Sequence, residues 1–464
     1  MSTDHKNPVT WQPLESTRTP SHGLTPFGGT LLTAFLVGFP FWWIAGLASF
    51  GFIIVGFLLG YQLLQVKQIK VPNGFGIWIL FLMVVLMSAL TLWVPVPGLI
   101  PESGLGRILS WAFRLSWFIA GTCVMLFIGN ADERVLPTRR VVLLFAWLFT
   151  LTVLGGYAGN FASGVDFPSI LEVLLPRSVA THPFVSTLIH PGLAQVQDFL
   201  GYDSPRPKAP FEYANSWGAN FGMLLPYFML SITFAHQFWV RVVLAAILIL
   251  AIPPVIFSLN RGMWVGLGAL LLLFLIRMGV TGKLRQLFLL ISGITLASII
   301  LVMSPLFDLM ISRIDNPHSN SGRSNLAAFT IRITMEHSPI IGFGSTRTRQ
   351  GNFFSIAAGA TADCHQCSPP QLGTQGTLWF LIFCTGFLGT SLFVAFLVRR
   401  FARLTIDGRT VPFAVLASVV YFAFVLPVYD TISSPFFVLM AGMGLAWRFE
   451  RLNPDEMYRE GQGT

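Results

Sequence analysis

The chain has 464 residues, 54% of them hydrophobic and only 11% charged, and its mean hydropathy is +0.69. Such a composition excludes an ordinary soluble globular domain and equally an intrinsically disordered chain. The formal net charge of +9 reflects where Lys and Arg fall on a membrane-crossing chain and gives no support to nucleic-acid binding.

Apolar runs long enough to cross a bilayer recur along the whole length, and none alternates polar and apolar residues as a barrel strand does. The expected fold is all-α, a polytopic membrane protein of about twelve transmembrane helices. A Ser/Thr-rich stretch, residues 1–26, reads as a disordered cytoplasmic tail. The block 27–158 then holds five spans, near 27–45, 47–66, 75–96, 108–129 and 140–158. The first is too long, and too closely followed by the second, for a cleaved signal peptide. After an outer segment, 159–217, four spans occupy 218–306, near 218–236, 239–257, 262–277 and 286–306. A second outer segment, 307–371, precedes three more spans in 372–448, near 372–398, 411–428 and 433–448, and a cytoplasmic tail, 449–464.

With the N-terminus inside, 18 of the 29 Lys and Arg lie on the cytoplasmic side, and the short outer loops hold only Arg107 and Arg261. That bias favours an even span count with both termini cytoplasmic. The two outer segments are each about sixty residues long. Loops of that length are functional or disordered, and these carry enough apolar residues to fold against the membrane. Within the second, "GRSNLAAFTIRITMEHS" (322–338) reads as a short amphipathic helix capped by Ser324 or a neighbour.

Asp and Glu lie outside the apolar spans, with Asp430 in the last outer turn as the nearest exception. Ion-coupled transporters place acidic ligands near mid-membrane, so this distribution counts against one. The outer face is rich in arginine instead: Arg261 opens a span in "SLNRG", and Arg313, Arg323, Arg332, Arg347 and Arg349 follow in the second outer segment. Guanidinium forks match phosphate oxygens. An arginine at a helix end also anchors at lipid headgroups, so Arg261 alone supports both readings. Arg114, inside a span near its outer end, either lines the same cavity or snorkels outward.

"PFEYANSWGANFGMLLP" (210–226), "SLNRG", "SGRSN" (321–325), "HSPIIGFGS" (337–345) and a span with "GFLG" (386–389) occur in that order. This succession resembles the O-antigen ligase and O-antigen polymerase family of bacterial integral membrane glycosyltransferases, over roughly residues 211–395. The resemblance implies a cytoplasmic (inner) membrane enzyme that uses no nucleotide sugar, metal or other cofactor. It would move a glycan from a polyprenyl-diphosphate-linked oligosaccharide to a hydroxyl of a glycan or glycolipid acceptor on the outer face. By position Arg261 and Arg323 would hold the diphosphate, with Arg347 or Arg349 as further ligands. The family's His-Asn pair falls here on Gln375. Glutamine orients a hydroxyl but cannot serve as a base at neutral pH, and His365 is the nearest imidazole to replace it. Asn215 and Trp217 suit sugar contact or interfacial anchoring. The glycines of "IGFGS" suit a phosphate nest or a tight turn. Cys364 and Cys367 form an outer CxxC, read first as a local disulfide, with no second ligand pair for zinc. An exporter or flippase of the same lipid-linked glycan would use the same arginines, whereas a non-catalytic scaffold would depend on none of them.

Overall fold

The computed structural model describes residues 24–100, 105–198, 203–315, 318–350 and 371–451. It is mostly helical, and a helix lies on each of the twelve apolar stretches. Six helices are long and apolar enough to cross a membrane: Gly106–Asn130, Thr138–Phe161, Phe238–Phe257, Arg261–Val280, Leu284–Val302 and Thr377–Ile406. Four further apolar helices are shorter, at Pro26–Val37, Ala48–Leu64, Phe75–Thr91 and Thr410–Val425.

The helix Ser434–Glu450 stands at the centre, with every residue from Ser434 to Arg448 buried. Its sequence is apolar all round, and such a helix buries every face. It packs on Leu105–Asn130 and Thr410–Val425, while Ala214–Thr233 lies between Thr138–Phe161 and Thr410–Val425. By contrast, Phe238–Phe257, Arg261–Val280 and Leu284–Val302 turn their apolar side chains outward, and no residue of the last is buried. That is the distribution expected where the surrounding medium is as apolar as the core.

The described residues of the two long segments, 159–217 and 307–371, add some strand to the helical plan. The first contains three short helices and an antiparallel hairpin, Ala194–Asp198 with Asp203–Pro207, in which Gln195 faces Arg206. In the second, the helix runs His318–His337 and so starts earlier than expected. Ser324 is therefore inside the helix, exposed, and does not cap it. Leu326, Thr330, Ile333 and Thr334 form its buried stripe, the spacing of one helix face.

"HSPIIGFGS" and "GFLG" meet directly. The helix Thr377–Ile406 breaks at Gly386, where φ is +67°. A Cβ there would lie 2.2 Å from the Ile340 carbonyl oxygen, so only glycine admits this approach. The break frees the carbonyls of Phe383 and Cys384 to accept N–H bonds from Phe343 and Gly344, at 2.8 and 3.0 Å. The glycines of "IGFGS" thus dock backbone on backbone, with these amides already used, and do not form a phosphate nest.

Candidate functional site

The N-terminal end of the helix Arg261–Val280 is the centre of the site. Asn260 precedes the helix, and the backbone enters through Leu259 at φ +51°. A bulky residue held in the left-handed region is strained, and such strain concentrates at functional positions. Behind it, Ser258 and Asn260 are buried, and the Asn260 amide reaches the Ala214 carbonyl at 3.4 Å.

Arg206 ties this turn to the hairpin Ala194–Asp198 with Asp203–Pro207. It is 5% exposed, and its Nε donates to the Ser258 carbonyl at 2.8 Å. Its Nη2 donates to Asn215 Oδ1 at 3.2 Å. A single buried guanidinium thereby joins the "SLNRG" turn to the "EYANSW" helix start, two pieces paired in the sequence only by their order.

Tyr429 comes from the turn between Thr410–Val425 and Ser434–Glu450, and its hydroxyl accepts the Met263 N–H at 3.0 Å. Gly262 is what lets it in, since a Cβ there would sit 2.5 Å from the Tyr429 Oη. Three guanidiniums act on this phenol: Arg206, Arg261 and Arg323, from the hairpin, the helix Arg261–Val280 and the helix His318–His337. Burial, with the nearby charge of Arg323 added, lowers Arg206 to about 10, which still leaves it charged at neutral pH. Arg323 is likewise pushed down by burial and by the charge of Arg261. Burial pushes Tyr429 up to about 12 despite these arginines, so it stays a neutral phenol.

Arg323, half-buried, contrasts with two buried arginines that are paired with carboxylates. Arg400 and Arg448, at the opposite end, pair with Glu450 and Glu133 at 2.7 and 3.1 Å. Arg323 makes no hydrogen bond or ion pair among the described residues, and its Nε is buried without an acceptor. A buried donor without a partner costs free energy, more so when charged. Set beside two like charges and the positive end of a helix dipole, it marks a place for an anion.

The turn that presents Tyr429 is held on both sides. Thr377 N–H donates to the Tyr429 carbonyl at 2.8 Å, and Thr377 Oγ1 accepts the Thr431 N–H at 2.7 Å. Trp379 Nε1 donates to the Pro427 carbonyl at 2.8 Å. Arg114 pairs with Asp430 through both its terminal nitrogens, at 3.2 and 2.7 Å, and donates to the Ile432 carbonyl. Arg114 therefore fixes the turn; its two terminal nitrogens are taken by that turn. Gln375 lies two residues before Thr377, with φ at +68°, a second non-glycine in the left-handed region.

Of the residues expected from the sequence, Arg261 and Arg323 come together, Asn215 joins them through Arg206, and Gln375 borders the turn. Others do not join. Arg347 is 2% exposed and donates to the carbonyls of Thr91, Leu92 and Val94 beneath the surface, so it fastens the loop after Phe75–Thr91. Arg349 stacks its guanidinium over Phe329, 4.6 Å from the ring centre. Trp217 is fully buried, with its indole N–H on the Thr152 carbonyl at 2.8 Å and its ring stacked on Phe221, and so packs the core with no face for a sugar. His365, Cys364 and Cys367 lie outside the described residues.

Arg206 and Tyr429 went unnoticed in the sequence. Arg206 sits between Pro205 and Pro207 in a polar outer stretch, and Tyr429 is one residue from Asp430; neither carries a spacing signal. Among the described residues no His, Cys, Asp and Glu group is arranged to hold a metal ion. No family profile matches the chain, and no curated protein or solved structure shows significant similarity to it.

Proposed function

We propose that this protein is a twelve-span glycosyltransferase of the cytoplasmic (inner) membrane of a bacterium, with both termini cytoplasmic. It moves a glycan from a polyprenyl-diphosphate carrier to an acceptor hydroxyl on the outer face. The observation that carries this reading is the half-buried Arg323, whose buried Nε finds no acceptor among the described residues, beside Arg261 and Arg206 near a helix N-terminus. All three sit at the end of the bundle that the basic-residue bias assigns to the outside. The order of the sequence elements, which resembles the O-antigen ligase and polymerase family, supplies the reaction class.

In the reaction the bond between the anomeric carbon and the diphosphate oxygen breaks, and a bond from that carbon to the acceptor oxygen forms. The diphosphate gains negative charge as it departs, and the acceptor's proton passes to the departing diphosphate oxygen or to solvent water. Guanidiniums fixed in place before the reaction stabilise that charge most where water is sparse. Three of them supply the neutralisation that a divalent cation provides elsewhere. Gln375 orients the acceptor hydroxyl by hydrogen bonding.

The test is transfer by purified protein in liposomes, with a polyprenyl-diphosphate oligosaccharide, an acceptor glycan and EDTA, read by mass spectrometry. The reading expects product from the wild type and none from Arg261→Ala or Arg323→Ala. Lipid crossing between leaflets without bond cleavage would replace the transferase by a flippase.

A further inference from the structure

The Tyr429 hydroxyl has a proton with nowhere to go. Its oxygen accepts from the Met263 N–H at 3.0 Å, with the Gly262 N–H also directed to it. A phenol oxygen so used has its own O–H left over, and a buried donor needs an acceptor. The residue is 2% exposed, and no acceptor for that proton occurs among the described residues. Its charged neighbours, Arg206, Arg261 and Arg323, are guanidiniums, which offer no acceptor.

The surroundings show a group held for a purpose beyond packing. The backbone carbonyl of Tyr429 is fixed by Thr377, and the next residue, Asp430, by Arg114. Gly262 leaves space for the hydroxyl and nothing larger than hydrogen. The O–H and the buried Arg323 Nε belong to one cationic region beside the helix N-terminus, and neither has an acceptor among the described residues.

The geometry points to Tyr429 as a binding residue that donates its hydroxyl proton to an oxygen of the bound diphosphate, alongside the guanidiniums. This deepens the diphosphate reading above and rests on it. The phenol supplies a neutral donor of fixed direction within a cationic site, and so selects the position of one phosphate oxygen.

The experiment measures binding of inorganic pyrophosphate and of farnesyl diphosphate to the full-length protein in nanodiscs, by titration calorimetry. Tyr429→Phe removes the proton and weakens both ligands by about ten- to a hundredfold, the range for a hydrogen bond to a charged group. Because that variant also strips an acceptor from Met263, 3-fluorotyrosine placed at position 429 provides the discriminating arm. Fluorination makes the O–H a better donor and its oxygen a poorer acceptor. Tighter binding supports the donor role; weaker or unchanged binding shows that the phenol only caps the helix and overturns it. Wild-type protein that binds neither ligand overturns both this inference and the diphosphate reading. Stronger binding of pyrophosphate than of farnesyl diphosphate refutes a lipid-borne ligand and leaves the phenol's role standing.

Discussion

Replacing Arg323 by Met separates a binding arginine from a structural one, because the two classes move stability in opposite directions. The Arg323 Nε is buried without an acceptor, and the guanidinium lies beside the charge of Arg261. One orphan charged donor costs about 1–3 kcal/mol, and Met keeps most of the aliphatic stem in place. The protein should therefore unfold at a higher temperature by an amount equivalent to about 1–2 kcal/mol, with part of the gain lost to imperfect packing. Transfer should meanwhile fall by about two to three orders of magnitude, as when a charge-stabilising donor is removed from a transition state. Arg347→Met is the contrast. It strips three backbone carbonyls of their donor and should cost about 3 kcal/mol or more. Both variants are compared by thermal unfolding in detergent, followed by intrinsic fluorescence, and by transfer in liposomes. An Arg323→Met protein that is destabilised like Arg347→Met, or that transfers glycan at the wild-type rate, rules out a binding role for Arg323. The sacrifice of stability at a site is the expected signature of function.

Other consequences are as direct. Gly262→Ala places a methyl group 2.5 Å from the Tyr429 Oη and 2.8 Å from its Cζ; it should displace the ring and reduce transfer more than Gly268→Ala, whose position is open. Gln375→Gly relieves a left-handed residue and should raise stability by about 1 kcal/mol, while a loss of transfer in the same variant, followed as acceptor concentration varies, locates the side chain at the acceptor. In the first outer segment His190 is bracketed by Glu172 at 2.7 Å and by Asp166, with Lys208 close to Asp166. Burial alone would lower its pKa, but the two carboxylates outweigh that and hold it above the usual histidine value. Its stabilisation is thus fully present below about pH 6.5 and is lost as pH rises through the raised value. Hydrogen exchange across 166–192 should accelerate with pH beyond the intrinsic rate in the wild type, and His190→Gln should abolish that extra dependence.

Much of the helix pattern was legible because a membrane-type sequence states its apolar runs openly; residues 108–129 and 140–158 became the helices Leu105–Asn130 and Thr138–Phe161 within a few positions. The start of the helix at His318 was not, because Ser319, Asn320 and Ser321 are as common in a polar loop as in a first helical turn. In the site, Arg261 and Arg323 stood out as charges in apolar or outer settings. Arg347 stood out for the same reason and proved to serve backbone carbonyls, since sequence shows a charge but not what it faces. Arg206 and Tyr429 were hidden for a different cause. Their role depends on contacts between chain segments more than fifty and more than 160 residues apart, Arg206 with Ser258 and Tyr429 with Met263, and no local period encodes such contacts. Trp217 shows the reverse error: an aromatic near the outer face reads as a sugar platform until its burial against Thr152 is seen.

The central claim is that Arg206, Arg261 and Arg323 enclose a lipid-borne diphosphate over Tyr429. Electron cryomicroscopy of the protein in nanodiscs with a non-hydrolysable polyprenyl-diphosphate analogue tests it most directly. Phosphate density is expected against the Arg323 Nε and the Tyr429 hydroxyl, at the N-terminus of Arg261–Val280. Density for the headgroup elsewhere, with Arg323 still unpartnered, would contradict it.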